Sequence, residues 1–317
     1  MAQMSTKPKY EEFLPVGVIQ TTVNATFAWP CEKGAIPKMS LNQDAHSWQE
    51  ICKAMRAFKD GDLAPKVVVL PELSLPRTRL DDFEKLVAGL NVIAFVGVDY
   101  RLDRVNNRVY NDGIVFIPSN FWKSRPSRNC TRVVFGKTHP APKEKEKLKK
   151  LTPSWTYCGD DKVYIFDLEQ YGCIGVSICY DFMDLERALM YRGKVHHLFV
   201  LAYNRDLGMF RSLADSLSRT VYCNVVVCNT GIYGGSVAVA PYHEAFKRTL
   251  YSHDGKELFT TQVVNLPVRG LDKARQGNGD IVKIKEREEN VFKDPPPGVI
   301  EHVALPWHTQ MLKPSTQ

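Results

Sequence analysis

Cys173-Ile174-Gly175-Val176-Ser177-Ile178, ending in Cys179, is the stretch from which the fold is read. It is short, apolar and rich in β-branched residues, with Gly172 as a turn in front of it, so it reads as a buried strand. Working outward, Leu185 to Arg192 has helical spacing and His197 to Ala202 is another apolar strand. Phe210 to Tyr222 reads as a helix, and Val225–Cys228 and Val237–Ala240 as strands. Upstream, strands are expected at Val16–Ile19, Lys66–Leu70, Val92–Val98, Gly113–Ile117, Thr131–Phe135 and Lys162–Leu168. Helices are expected at His46–Phe58 and Asp81–Leu90, and a loop at Pro118–Asn129. Leu250 to Leu266 reads as a hairpin turning at Asp254-Gly255. Strands and helices alternate throughout, which gives an α/β class. One domain is expected over 1–270. Beyond it charge rises, and Pro295-Pro296-Pro297-Gly298 ends any regular element, so 271–317 reads as a C-terminal arm or tail.

Composition excludes several classes. With 317 residues, 44% hydrophobic and 24% charged, the chain is neither disordered, nor collagen-like, nor a disulfide scaffold. The formal charge of 42 − 35 = +7 is only mildly basic. Lys137 to Lys150 holds six lysines and two glutamates and reads as a solvated helix or loop face. It lacks the interleaved arginines and aromatics of a nucleic-acid groove, so no nucleic acid is expected as a partner. Thr220 to Tyr242 carries no charged residue and is long enough to cross a bilayer. Asn224, Asn229, Gly231, Gly234, Gly235 and Ser236 interrupt it, so it reads as two buried strands and a turn, with no membrane association. The first fifteen residues carry Lys7, Lys9, Glu11 and Glu12 without an apolar core, which is no signal peptide. A cytoplasmic protein with reduced thiols follows as the expectation. The eight cysteines include no C-x-x-C pair, and His196-His197 reads as a turn or surface pair, so neither a metal nor a cofactor is expected.

Three β-branched runs each lead into a chemically capable residue. Val67-Val68-Val69-Leu70-Pro71 leads into Glu72, Val133-Val134-Phe135-Gly136 into Lys137, and Cys173–Ile178 into Cys179. Sites in α/β sheets collect beyond the carboxyl ends of strands, so neighbouring strands would bring the three together. A carboxylate can take the thiol proton and return it to a leaving amine. An ammonium stabilises a thiolate and a developing oxyanion. A thiolate formed this way would be alkylated ahead of the other seven cysteines. Glu, Lys and Cys are thus a complete set for acyl transfer from an amide, or for attack on a nitrile. Two decoys fail. Gly136-Lys137-Thr138 lacks the earlier glycine of a phosphate loop, where Thr131 stands. Gly175-Val176-Ser177-Ile178-Cys179 lacks the final glycine of the serine nucleophile elbow.

Leu70-Pro71-Glu72, Gly136-Lys137-Thr138-His139 and Ile178-Cys179-Tyr180-Asp181 together resemble the three signatures of the nitrilase superfamily, the carbon–nitrogen hydrolases. Glu186-Arg187, Asn229-Thr230-Gly231, Gly235-Ser236 and Pro241 follow in the family's order. The resemblance covers roughly residues 14–266 and implies a four-layer α-β-β-α sandwich of two mixed sheets. It implies Glu72 as general base and acid, Lys137 as stabiliser of the tetrahedral intermediate, Cys179 as nucleophile, and the Tyr180 N–H as an oxyanion donor. It also implies a second glutamate after the lysine, for which Glu144 suits best and Glu146 is the alternate. Tyr203 and Asn204, after the strand ending at Ala202, are candidate substrate contacts. Small amides or carbamoyl compounds, homodimers and C-terminal arms that cross to the partner are further implications. The same residues would serve nitrile hydrolysis, and a vestigial interaction module is the reading from another class. Leu185 stands where the family usually has proline, Tyr222 where a glutamate is common, and the Lys137–Cys179 segment is long.

Overall fold

The computed structural model describes residues 9–30, 35–123, 125–284 and 287–300, the side chains at 283, 284 and 287 excepted. In chain order the strands are β1 (Phe13–Gln20), β2 (Val67–Leu75), β3 (Ile93–Val98), β4 (Arg101–Asp103), β5 (Arg108–Tyr110), β6 (Asp112–Pro118), β7 (Cys130–Gly136), β8 (Thr156–Tyr157) and β9 (Ile165–Asp167). They continue as β10 (Cys173–Ile178), β11 (His197–Ala202), β12 (Asn224–Asn229), β13 (Ser236–Val239), β14 (Thr249–His253), β15 (Thr260–Pro267), β16 (Ile281–Ile284) and β17 (Arg287–Asn290). The helices are α1 (Ala25–Ala28), α2 (Leu41–Asp60), α3 (Leu80–Leu90), α4 (Pro142–Lys150), α5 (Leu185–Tyr191), α6 (Leu207–Leu217) and α7 (Arg269–Arg275).

Two six-stranded mixed sheets form, in the orders β15-β1-β2-β3-β6-β7 and β14-β13-β12-β11-β10-β9. Three parallel strands run through the middle of each, β1-β2-β3 and β10-β11-β12, with antiparallel strands outside them. Strands covered on both faces must be apolar on both, which is why the central ones lack a polar alternation. Val67 and Val69 face the second sheet and meet a core that includes Val176, Phe199 and Val226. Val68 and Leu70 point the other way, to Ile51, Met55, Phe83 and Val87 of α2 and α3. On the second sheet's outer side, Tyr191 of α5 lies over Gly175 and donates to the Val176 carbonyl at 2.6 Å. The architecture is the α-β-β-α sandwich expected.

Three local readings need correction. The Leu250–Leu266 hairpin does not form: β14 pairs with β13 in the second sheet, while β15 pairs with β1 in the first. The Asp254-Gly255 link therefore passes between sheets. β2 does not stop at Leu70. It runs to Leu75 with its register against β3 shifted between Leu70 and Leu75, so Glu72 sits inside an irregular strand rather than beyond a regular one. Only Ile165–Asp167 of Lys162–Leu168 pairs as strand.

His196 and His197 are buried, not a surface pair. His196 Nδ1 accepts from the Cys173 N–H at 3.0 Å, and His197 bridges the Tyr171 carbonyl and the Asn224 amide. Of segment 271–317, Leu271, Ala274, Phe292 and Val299 pack around Tyr222, and residues 301–317 lie outside the described ones. Among the described residues no helix is long and apolar enough to cross a membrane. Nor does any group of three or more His, Cys, Asp and Glu side chains assemble a metal site there. The seven described cysteines are free; Cys31 lies outside the described residues.

Candidate active site

The irregular part of β2 and the carboxyl ends of β7 and β10 converge. Glu72, Lys137 and Cys179 are all buried, at 3%, 1% and 6% exposure, and open onto one cavity of about 670 Å³. The Lys137 ammonium lies 2.8 Å from Glu72 Oε1 and 2.7 Å from Glu144 Oε2. The Cys179 thiol and the Glu72 carboxylate are close enough that each shifts the other's protonation, and the Tyr203 backbone adjoins the sulfur.

Backbone detail positions each group. Leu73, after Glu72, has φ of 55°, and Cys179 has φ of 46°; neither is glycine, so both sites hold local strain of about 1–3 kcal/mol. The elbow geometry that the near-match around Ser177 suggested therefore belongs to Cys179. The bulge carrying Glu72 rests on Gly97 of β3, where an added Cβ would sit 2.3 Å from the Pro71 oxygen and 2.4 Å from the Glu72 Cα. We expect Gly97→Ala to lower kcat/KM by about 10–100-fold by moving that carboxylate, and stability by about 1–3 kcal/mol. Steady-state kinetics with urea titration checks this; wild-type kcat/KM in the variant would refute it. Lys137 is held at its backbone: its N–H donates to the Asn111 carbonyl at 2.9 Å, and its carbonyl accepts from the Tyr157 hydroxyl at 2.8 Å. Asp181, two residues after Cys179, accepts the Thr138 and His139 N–H groups at 2.7 and 2.8 Å, tying the two segments together.

The two glutamates have different surroundings. Glu144 takes four donors: Lys137, the Tyr100 hydroxyl at 2.8 Å, the Asn111 amide at 3.0 Å and the Ala141 N–H at 3.1 Å. Burial alone would push its pKa up, but the Lys137 ammonium and these donors outweigh it and hold Glu144 below the usual carboxylate value. It stands at the third position of α4, behind Pro142, so it caps its own helix while gripping Lys137. Glu146 is at the surface, paired with Lys150 at 2.6 Å, so Glu144 is the second glutamate at the lysine. In Glu72, Lys137 and Asn111 both donate to Oε1, each at 2.8 Å. Burial, aided by the Glu144 charge, pushes Glu72 above its usual 4.5.

The resting thiol differs from the expectation. Two carboxylates share one ammonium, so the cluster carries a net −1 before Cys179 ionises. Burial, with Glu72 adding to it, pushes the thiol well above 9, against the pull of Lys137. The charges at the floor thus oppose the thiolate on which preferential alkylation depends.

Tyr203 and Asn204 do line the cavity, as does Tyr180. Their polar atoms are committed, however. The Tyr203 hydroxyl donates to the Val23 carbonyl and accepts from the Ala25 N–H, and the Asn204 side chain bonds to Asp206. They shape the wall rather than offer free donors. The lysine-rich run forms α4, whose Leu148 is buried while Lys143 and Lys147 border the cavity. Asn111, Tyr100 and Arg205 escaped the sequence reading. Asn111 reaches both glutamates only because Asp112 pairs with Gly136 across β6 and β7, a register the residues do not announce.

No protein-family model matches the chain, and no curated protein does. Solved structures match over most of it. Nit3 of Saccharomyces cerevisiae, a member of branch 10 of the nitrilase superfamily, is 18% identical, with a TM-score of 0.57 over 84% of this chain and 95% of that one. A carbon–nitrogen hydrolase from Helicobacter pylori G27 is 12% identical, with a TM-score of 0.60 over 84% and 93%. An amidase from Nesterenkonia sp. is 13% identical, with a TM-score of 0.55 over 84% and 95%. The fold is that of the nitrilase superfamily, as the three motifs implied.

Proposed function

We propose that this protein is a thiol-dependent hydrolase of non-peptide carbon–nitrogen bonds in small amide or carbamoyl substrates. The observation that carries this reading is the meeting of a buried carboxylate, a buried ammonium and a thiol at one cavity floor. The fold shared with carbon–nitrogen hydrolases and an amidase supports it further.

In the proposed reaction Glu72 takes the Cys179 proton as sulfur attacks the carbonyl carbon. Proton transfer in step with attack suits a thiol that rests protonated. A C–S bond forms and the carbonyl π pair moves to oxygen, where the Lys137 ammonium and the Tyr180 N–H receive the charge. The C–N bond then breaks, Glu72 gives its proton to nitrogen, and ammonia or an amine leaves an acyl-thioester on Cys179. Water attacks that thioester, Glu72 takes a water proton, and the C–S bond breaks. Glu72 returns the proton to sulfur and the acid departs. Glu144 stays ionised throughout and keeps Lys137 in place: two carboxylates take separate tasks because their surroundings differ.

Intact-mass analysis after incubation with matched amides and nitriles tests the reading. An acyl adduct on Cys179, with ammonia release, is expected from amides. Adducts from nitriles alone would favour nitrile hydrolysis, and none from either would favour a vestigial module. The pH profile has a stated sign. The base must be ionised, and Glu72 titrates above 4.5, so kcat/KM should fall on acidification through a pKa above that value. In Glu72→Gln that limb should vanish, with the rate down about 10²–10⁴-fold. A homodimer belongs to the same reading. Leu185, Leu189 and Met190 stand exposed on α5 and offer it an apolar face, testable by sedimentation.

A further inference from the structure

We propose that Asn111 is a positioning residue that fixes Oε2 of Glu72 as the oxygen carrying the proton from Cys179 to the leaving nitrogen. This rests on the reading of Glu72 as the base and Cys179 as the nucleophile. Asn111 does not line the cavity, so it can act only through the side chains it holds.

One amide nitrogen holds both carboxylates. Asn111 Nδ2 donates to Glu72 Oε1 at 2.8 Å and to Glu144 Oε1 at 3.0 Å. Its Oδ1 is buried and has no hydrogen-bond partner among the described residues. A buried carbonyl oxygen left unpaired is costly, and such a group calls for a reason. Charge supplies one here. Turned over, the amide would set Oδ1 against two carboxylates and lose both bonds, so the electrostatics select the orientation that leaves Oδ1 unpaired. The backbone keeps the residue in place. Its carbonyl accepts the Lys137 N–H at 2.9 Å, and the next residue, Asp112, is gripped by Arg77 at 2.7 Å and Arg101 at 2.8 Å. Asn111 thus touches all three charged members of the floor.

The carboxylate oxygens are thereby made unequal. Glu144 is filled on both: Oε1 takes Tyr100 and Asn111, Oε2 takes Lys137 and the Ala141 N–H. Glu72 receives Lys137 and Asn111 on the same oxygen, Oε1, which leaves Oε2 clear of both. An oxygen already taking two donors is the poorer proton acceptor, so the proton from sulfur goes to Oε2 and departs from it to nitrogen. Without the amide, the ionised form of Glu72 loses a donor and its carboxylate is free to turn. The groups around this amide are Glu72 of β2, Tyr100 after β3, Lys137 after β7 and Glu144 of α4. Cys179, Tyr157 and Asp181 act on the same charges.

The test uses the full chain and a small amide, with Asn111→Leu, which keeps the volume and removes the donor, and Asn111→Asp, which keeps the shape. In Asn111→Leu kcat should fall by about 10–100-fold through the displaced carboxylate, while KM stays within about twofold, since no substrate contact is lost. The acidic limb of kcat/KM should move up by about one pH unit, because the ionised form of Glu72 has lost a donor. In Asn111→Asp, which brings a third carboxyl to the cluster, it should move further. A merely structural role would lower the urea midpoint and leave the limb in place. An unmoved limb in both variants, or wild-type kcat in Asn111→Leu, overturns the proposal. NMR titration of isotope-labelled glutamate carboxyls, with Glu72 assigned by its absence in Glu72→Gln, separates this from the catalytic reading. If the wild type turns over no amide, that reading fails, and a raised Glu72 titration in Asn111→Leu still upholds the grip of Asn111 on Glu72 while an unchanged one refutes it.

Discussion

Replacing Cys179 by alanine is expected to lower kcat for amide turnover by about 10⁵-fold or more, the scale seen when a covalent nucleophile is removed. The reason is the geometry of the floor. Glu72 faces the thiol, and Lys137 lies beside the carboxylate rather than replacing it. Without sulfur no acyl-enzyme forms, and the base is left to activate water that has no anchored position. The change removes one buried atom, so the folded state should lose no more than about 1 kcal/mol. Turnover of the purified variant, with its urea midpoint, decides the matter. A variant keeping more than about 1% of the wild-type rate at unchanged stability would remove Cys179 from the mechanism.

Lys137→Met should damage both fold and chemistry. In the native cluster one ammonium lies within 2.8 Å of two buried carboxylates. Its loss leaves Glu72 and Glu144 facing each other without a counter-charge, and breaking a buried pair from one side costs about 3–5 kcal/mol. The rate should fall by about 10²–10³-fold, as when one oxyanion donor is removed. The pH dependence has a definite sign. In the variant both carboxylates titrate above their unfolded values, so the folded state binds more protons than the unfolded one. Stability is then recovered as pH falls from 7 and lost as it rises. Adding Glu144→Gln to Lys137→Met should restore part of the loss, a coupling that a double-mutant cycle measures. Equal stability of Lys137→Met and wild type at pH 7 would contradict a buried, shared ammonium.

The site was legible in the residues to an unequal degree. Glu72, Lys137 and Cys179 stand out because each follows a β-branched run, and buried strands announce themselves through composition. Glu144 could be preferred over Glu146 only by resemblance. Helix geometry decides between them, because position three of α4 turns toward Lys137 while Glu146 turns to solvent. Asn111 and Tyr100 carried no local signal, since what they do depends on strands that are remote in the chain. The electrostatics at the thiol depend on distant partners in the same way. One ammonium beside a cysteine suggests a thiolate, whereas one ammonium shared by two carboxylates opposes it.

Local order along the chain determined the α/β class, the central strands and which three side chains follow them to the cavity floor, because burial on both faces demands apolar runs wherever a strand is covered twice. Pairing settled the remainder. β14 and β15 went to opposite sheets, β2 slipped out of register at Glu72, and the net charge at the cavity floor came out at −1. Register and charge sharing are relations between residues far apart in sequence, and they exist only once the sheets have closed on each other.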